Sequence, residues 1–85
     1  MQVSIDISMY PLEREYREPI LAFIDRLAAI PGVSVVRNDL ATQVFGDYDR
    51  VMGELTDSVK AVLAEHEETV FVIKLVGGNR HGQNA

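Results

Sequence analysis

Residues 3–9 set Val3, Ile5, Ile7 and Met9 against Ser4, Asp6 and Ser8. That alternation is the signature of a strand with one apolar face. Pro11 stops it, because proline cannot donate to a ladder. From residue 13 the period lengthens. Tyr16, Ile20, Phe23, Ile24, Leu27 and Ile30 recur at helical spacing. Pro19 fits best in the first turn, where its missing N–H costs nothing. Residues 13–17 are then either a separate turn or a distorted first turn. Pro31-Gly32 ends the helix. Residues 33–46 read as a hairpin, with strands on either side of the turn pair Asn38-Asp39. Asp47 or Asp49 can cap a second helix, whose stripe is Val51, Leu55, Val59 and Val62, widened by Met52 and Leu63. His66-Glu67-Glu68 breaks it. Residues 69–76, TVFVIKLV, have the β-branched and aromatic content of a last strand. Gly77-Gly78 closes it. The tail NRHGQNA is polar and expected to fray.

The order β-α-β-β-α-β predicts an α+β fold, the ferredoxin-like arrangement: a four-stranded antiparallel sheet with two helices on one face. Right-handed crossovers place strands one and three in the centre. Residues 1–78 form the domain and 79–85 the polar tail. Two helices cover only one face of the sheet. Strand one must turn its apolar set toward them, leaving Ser4, Asp6, Ser8 and Tyr10 on the other face. On strand four, Phe71, Ile73 and Leu75 face the helices and Val70, Val72 and Lys74 face outward. Strand three is ambiguous. Thr42 and Val44 inward is favoured over Gln43 and Phe45 inward, because a buried Gln43 needs a partner. The open face then mixes Val70, Val72 and Phe45 with hydroxyl, amide and carboxylate groups. Such a mixture marks an interface or a ligand groove, and two copies packed through these faces are expected.

Composition removes several function classes. The 85 residues include no Cys and only two His, so a thiol nucleophile or a zinc or iron–sulfur site is not expected. The longest apolar run, Val70 to Ile73, is far too short to span a membrane. The start of the chain has no signal-peptide pattern, and the expected location is the cytoplasm. Eight basic residues are scattered among thirteen acidic ones, for a net charge of −5. That balance argues against nucleic acid as a partner. No P-loop, G-x-S-x-G or G-x-G-x-x-G pattern is present. His66 reads as a helix-end residue, Asp47 and Asp49 as a cap, and Glu67-Glu68 as a solvated loop. What remains is the end of strand one, Ser8-Met9-Tyr10-Pro11, and strand three, residues 41–47. Their hydroxyls and amide can donate to and accept from a heteroaromatic ring, with Tyr10 or Phe45 to stack on it. The plain alternative for Ser8 and Thr42 is that they are ordinary strand residues.

The segments ISMYPL (residues 7–12), NDLATQVFGDYDRVM (38–52) and VFVIKLVGGN (70–79) together resemble the YkoF-like thiamine/hydroxymethylpyrimidine-binding family. The resemblance runs from the first strand to Asn79. It implies a ferredoxin-like domain used in pairs, binding thiamine or its pyrimidine moiety without catalysis. Two-domain relatives carry the pair in one chain; this chain has one unit and would pair as a homodimer or higher homo-oligomer. Ser8 and Thr42 are the residues carried over as polar contacts. Gln43 and Phe45 match less closely, because relatives vary there. Asp6 or Asp47 would suit the thiazolium cation. The candidate binding set is thus Asp6, Ser8, Tyr10, Asn38, Thr42, Gln43 and Phe45, with thiamine as ligand rather than a cofactor, and no metal. Two other readings compete. One is a regulatory domain whose open face serves assembly only. The other is an enzyme of the dimeric α/β-barrel kind, for which Lys74 or Asp6 is the only local candidate.

Overall fold

The computed structural model describes residues 1–38 and 41–82. Asp39 of the expected turn and residues 83–85 of the tail lie outside them. The elements are β1 (Gln2–Tyr10), α1 (Arg17–Ala28), β2 (Ser34–Arg37), β3 (Thr42–Asp47), α2 (Tyr48–Glu65) and β4 (Val70–Gly77). The strands form one antiparallel sheet in the order β2-β3-β1-β4. β1 and β3 are central, as right-handed crossovers require, and the fold is the expected ferredoxin-like α+β arrangement.

The register resolves the ambiguity of strand three. Ile5 stands opposite Val44 and Leu75, and Ile7 opposite Thr42 and Ile73. Directly opposed residues share a face, so Thr42, Val44 and Gly46 face the helices while Gln43 and Phe45 face away. The core lies on the helix side. Val3, Ile5, Ile7 and Val44 from the sheet meet Phe23 and Leu27 of α1 and Val51 and Leu55 of α2. The spacing i, i+4 puts each helical pair on one stripe. The Phe23 and Phe71 rings lie 5.2 Å apart, tilted by 52°.

Local chemistry sets the helix ends. Pro19 is the third residue of α1, where an amide has no intrahelical acceptor. The Asp47 carboxylate accepts from the Arg50 amide at 3.3 Å and caps α2. The Arg50 guanidinium donates to the Pro31 carbonyl at 3.0 Å, tying α2 to the loop after α1. α2 starts so close to the sheet that a Cβ on Gly46 would come within 3.1 Å of Val51 Cγ2 and 3.3 Å of Val33 Cγ2. Only glycine fits there without displacing a neighbour.

Two features depart from a plain two-layer domain. The first corrects the expected fraying for residues 79–81. Gly78, at φ +83°, turns the chain back across the open face. The Ser4 hydroxyl then donates to the Gly78 carbonyl at 2.8 Å and accepts from the Arg80 amide at 2.7 Å. The His81 ring stacks on Phe45 at 4.8 Å, 19° from parallel. Phe45 is therefore buried although no helix covers it. The second is β4. It forms an outer edge that the helices cover only at Phe71, so Ile73 and Leu75 stay 43% and 50% exposed on the helix side. Val70 and Val72 are 46% and 51% exposed on the other.

Candidate functional site

β1 outruns β3. Its pairing with β3 ends at Ile7–Thr42, whereas its pairing with β4 continues to Tyr10–Val70. Among the described residues, Ser8, Met9 and Tyr10 therefore pair with a strand on one side only, and a notch borders them on the other. The hairpin tip borders it. The Asn38 side chain accepts from the Ala41 amide at 3.0 Å, and the Asn38 amide donates to the Ala41 carbonyl at 3.0 Å. These bonds hold the start of β3 in place. The first turns of α1 close the other side with Tyr16, Arg17 and Ile20.

The resulting cavity has a volume of about 670 Å³, within the range of small-ligand sites. Ile7, Phe23 and Ile24 supply apolar surface; Ser8, Tyr10, Asn38 and Thr42 supply polar groups; Arg17 and Arg37 are exposed along it. Thr42 is the most informative of these. It is only 7% exposed, it lines the cavity, and its hydroxyl has no hydrogen-bond partner among the described residues. Its oxygen is not among the fully buried unpartnered ones, which are those of Ser58 and Thr69, so it is open to the cavity. A hydroxyl held unpaired beside a cavity is a place for water or a ligand.

Four of the seven candidate residues thus converge: Ser8, Tyr10, Asn38 and Thr42. The other three line a separate groove of about 560 Å³ on the open face. There Asp6 stands opposite Gln43 and Lys74, and Phe45 is already stacked by His81. Asp47, a candidate counter-charge for a cation, sits opposite Gln2 at the far end of the sheet and caps α2. Neither His lines the notch. The His66 Nδ1 lies 2.9 Å from a Glu13 carboxylate oxygen, tying the end of α2 to the loop before α1. Among the described residues no group of three or more His, Asp or Glu could hold a metal ion, and no helix is long and apolar enough to cross a membrane. A third depression, about 610 Å³ between α2 and β4, is lined mainly by Met52, Leu55, Val59, Leu63 and Ile73. It has little to orient a polar ligand and is continuous with the exposed edge of β4.

Solved structures share this fold. The chain superposes on Thermotoga maritima TM0486, a proposed thiamine biosynthesis/salvage protein, with a TM-score of 0.78, 16% identity and coverage of 92% of this chain and 85% of that one. Protein MJ1052 from Methanocaldococcus jannascii gives a TM-score of 0.77 at 19% identity, covering 92% and 81%. Protein SP2199 from Streptococcus pneumoniae gives 0.72 at 22% identity, covering 96% and 92%. Neither a protein-family model nor a curated protein sequence matches the chain. At these identities the likeness establishes the fold, and function must be argued from the site.

The reading of the sequence missed Tyr16, Arg17 and Arg37. Topology was the available signal. β1 and β2 both run antiparallel to β3, so their C-terminal ends lie at one end of the sheet. Arg37 ends β2 and Tyr10 ends β1, and α1 starts seven residues after Tyr10. Reading the open face alone left out the side from which α1 closes the notch.

Proposed function

We propose that this protein binds a small heteroaromatic compound of the thiamine class, thiamine or its hydroxymethylpyrimidine moiety, in the notch at the end of β1. One observation carries the reading: Ser8, Tyr10, Asn38 and Thr42 line a single cavity that also has apolar surface. An aminopyrimidine needs donors and acceptors in one plane and an aromatic face to lie against. Ser8 and Tyr10 border the cavity from the open face of β1 and Thr42 from the helix side, and their hydroxyls and the rings of Tyr10 and Tyr16 are the groups available for these contacts. The resemblance of the segments around Ser8 and Thr42 to YkoF-like proteins supports this ligand class. So does a fold neighbour proposed to act in thiamine biosynthesis or salvage. The role is binding rather than catalysis, and neither histidine borders the cavity.

The functional unit is a homo-oligomer. β4 is an eight-residue outer strand without proline and with Lys74 as its one charge. It exposes aliphatic side chains on both faces. Such an edge is a template for pairing with another chain. A regulatory domain used for assembly alone is the second reading, and this edge is the observation that favours it.

Calorimetric titration with thiamine and with hydroxymethylpyrimidine separates the two. Saturable binding near one ligand per chain, weakened in a Ser8→Val/Thr42→Val variant that keeps its fold, supports the site. A stable oligomer that takes up neither compound leaves assembly as the function. Turnover of either compound would overturn the non-catalytic reading.

A further inference from the structure

We propose that the notch is built for a phosphate monoester, with Arg17 and Arg37 holding the phosphate of a phosphorylated hydroxymethylpyrimidine; this rests on the reading of the notch as a pyrimidine site. The charge pattern carries the inference. Acidic residues outnumber basic ones by thirteen to eight in the chain. Yet the described lining of this cavity contains two arginines and no carboxylate. Both guanidinium groups lack an ion pair or hydrogen bond among the described residues. They come from different elements, Arg17 from the first residue of α1 and Arg37 from the last of β2, and they reach one cavity only because the fold brings these ends together.

Arginine is suited to this task. Its planar fork bonds phosphate oxygens two at a time, and it stays charged at any physiological pH. A phosphate monoester carries about −1.5 to −2 charges near neutral pH. Two arginines without partners among the described residues, in a described lining that carries no carboxylate, therefore match a ligand with an uncharged ring at one end and a phosphate at the other. The start of α1 adds to the same field, since Tyr16 offers no side-chain cap and the first amides of the helix remain open donors. The same charges disfavour the thiazolium cation of thiamine. Asp6 and Asp47, which could have offset it, lie outside the cavity.

The test compares hydroxymethylpyrimidine, its phosphate monoester, thiamine and inorganic phosphate by calorimetry on the full chain. The expected order is phosphate ester tightest, by about 10- to 100-fold over the free alcohol, as charge-assisted bonds to phosphate imply. Thiamine binds more weakly than the ester. Arg17→Gln and Arg37→Gln should each lower the ester's affinity about tenfold or more relative to that of the free alcohol. Both side chains are exposed, so an unchanged thermal midpoint is expected and shows that the fold is intact. Equal affinity for alcohol and ester, thiamine tighter than the ester, or an ester affinity indifferent to both substitutions overturns the phosphate assignment while leaving the pyrimidine site standing. Inorganic phosphate bound as tightly as the ester overturns the pyrimidine half instead. No binding of any pyrimidine compound overturns both.

Discussion

Replacing Thr42 by Val deletes one oxygen and keeps the shape of the side chain. Its effects on folding and on binding should have opposite signs. Thr42 is 7% exposed and its hydroxyl is unpaired among the described residues. A hydroxyl fully buried without a partner costs roughly 1–3 kcal/mol in proteins, but the Thr42 oxygen is not fully buried. It borders a cavity that water can enter, which offsets most of that cost, so the valine variant should gain at most about 0.5 kcal/mol. For a domain of this size that gain raises Tm by at most about 2–4 °C. Ligand binding should weaken, because one neutral hydrogen bond contributes about 0.5–1.5 kcal/mol, or about a two- to twelvefold change in Kd. Urea unfolding followed by circular dichroism measures the first effect, a suitable probe in a chain without tryptophan. Calorimetry with hydroxymethylpyrimidine or its phosphate ester measures the second. A stability loss above about 1 kcal/mol would show that the hydroxyl serves the fold. An unchanged Kd would remove Thr42 from the site.

Other substitutions test the packing argument by the same unfolding assay. Gly46→Ala forces a Cβ to 3.1 Å from Val51, and should cost about 1–3 kcal/mol by overpacking. Ser58 is 1% exposed with an unpaired hydroxyl, so Ser58→Ala should be neutral or stabilising by up to about 1 kcal/mol. Leu12 is exposed and holds φ at +52°. Leu12→Gly should therefore gain about 0.5 kcal/mol, the left-handed penalty of an L residue less the chain entropy of glycine. Ser4→Ala removes the hydroxyl that bonds both Gly78 and Arg80. It should cost about 1–2 kcal/mol, and the Arg80 amide should lose its protection from hydrogen exchange.

Periodicity alone determined the six elements, their order and, through β1, which sheet face meets the helices. Those are local properties: a period of two or 3.6 is written in consecutive residues, and Pro19, Asp47 and Gly78 act on their own backbone. The sequence also marked Ser8 and Thr42, because short segments around them are distinctive. Tertiary structure alone decided how the candidates divide. Ser8 and Thr42 share a cavity because β1 outruns β3 by three residues, and that stagger depends on pairing between strands more than thirty residues apart. Asp6, Gln43 and Phe45 fell into a different groove because strand register assigns faces across the whole sheet. Residues 79–81 read as frayed because their bond to Ser4 and stacking on Phe45 join residues 36 to 76 positions apart in the chain. Arg17 and Arg37 looked like two scattered surface charges; only the packing of α1 beside the end of β2 turns them into a pair facing one cavity.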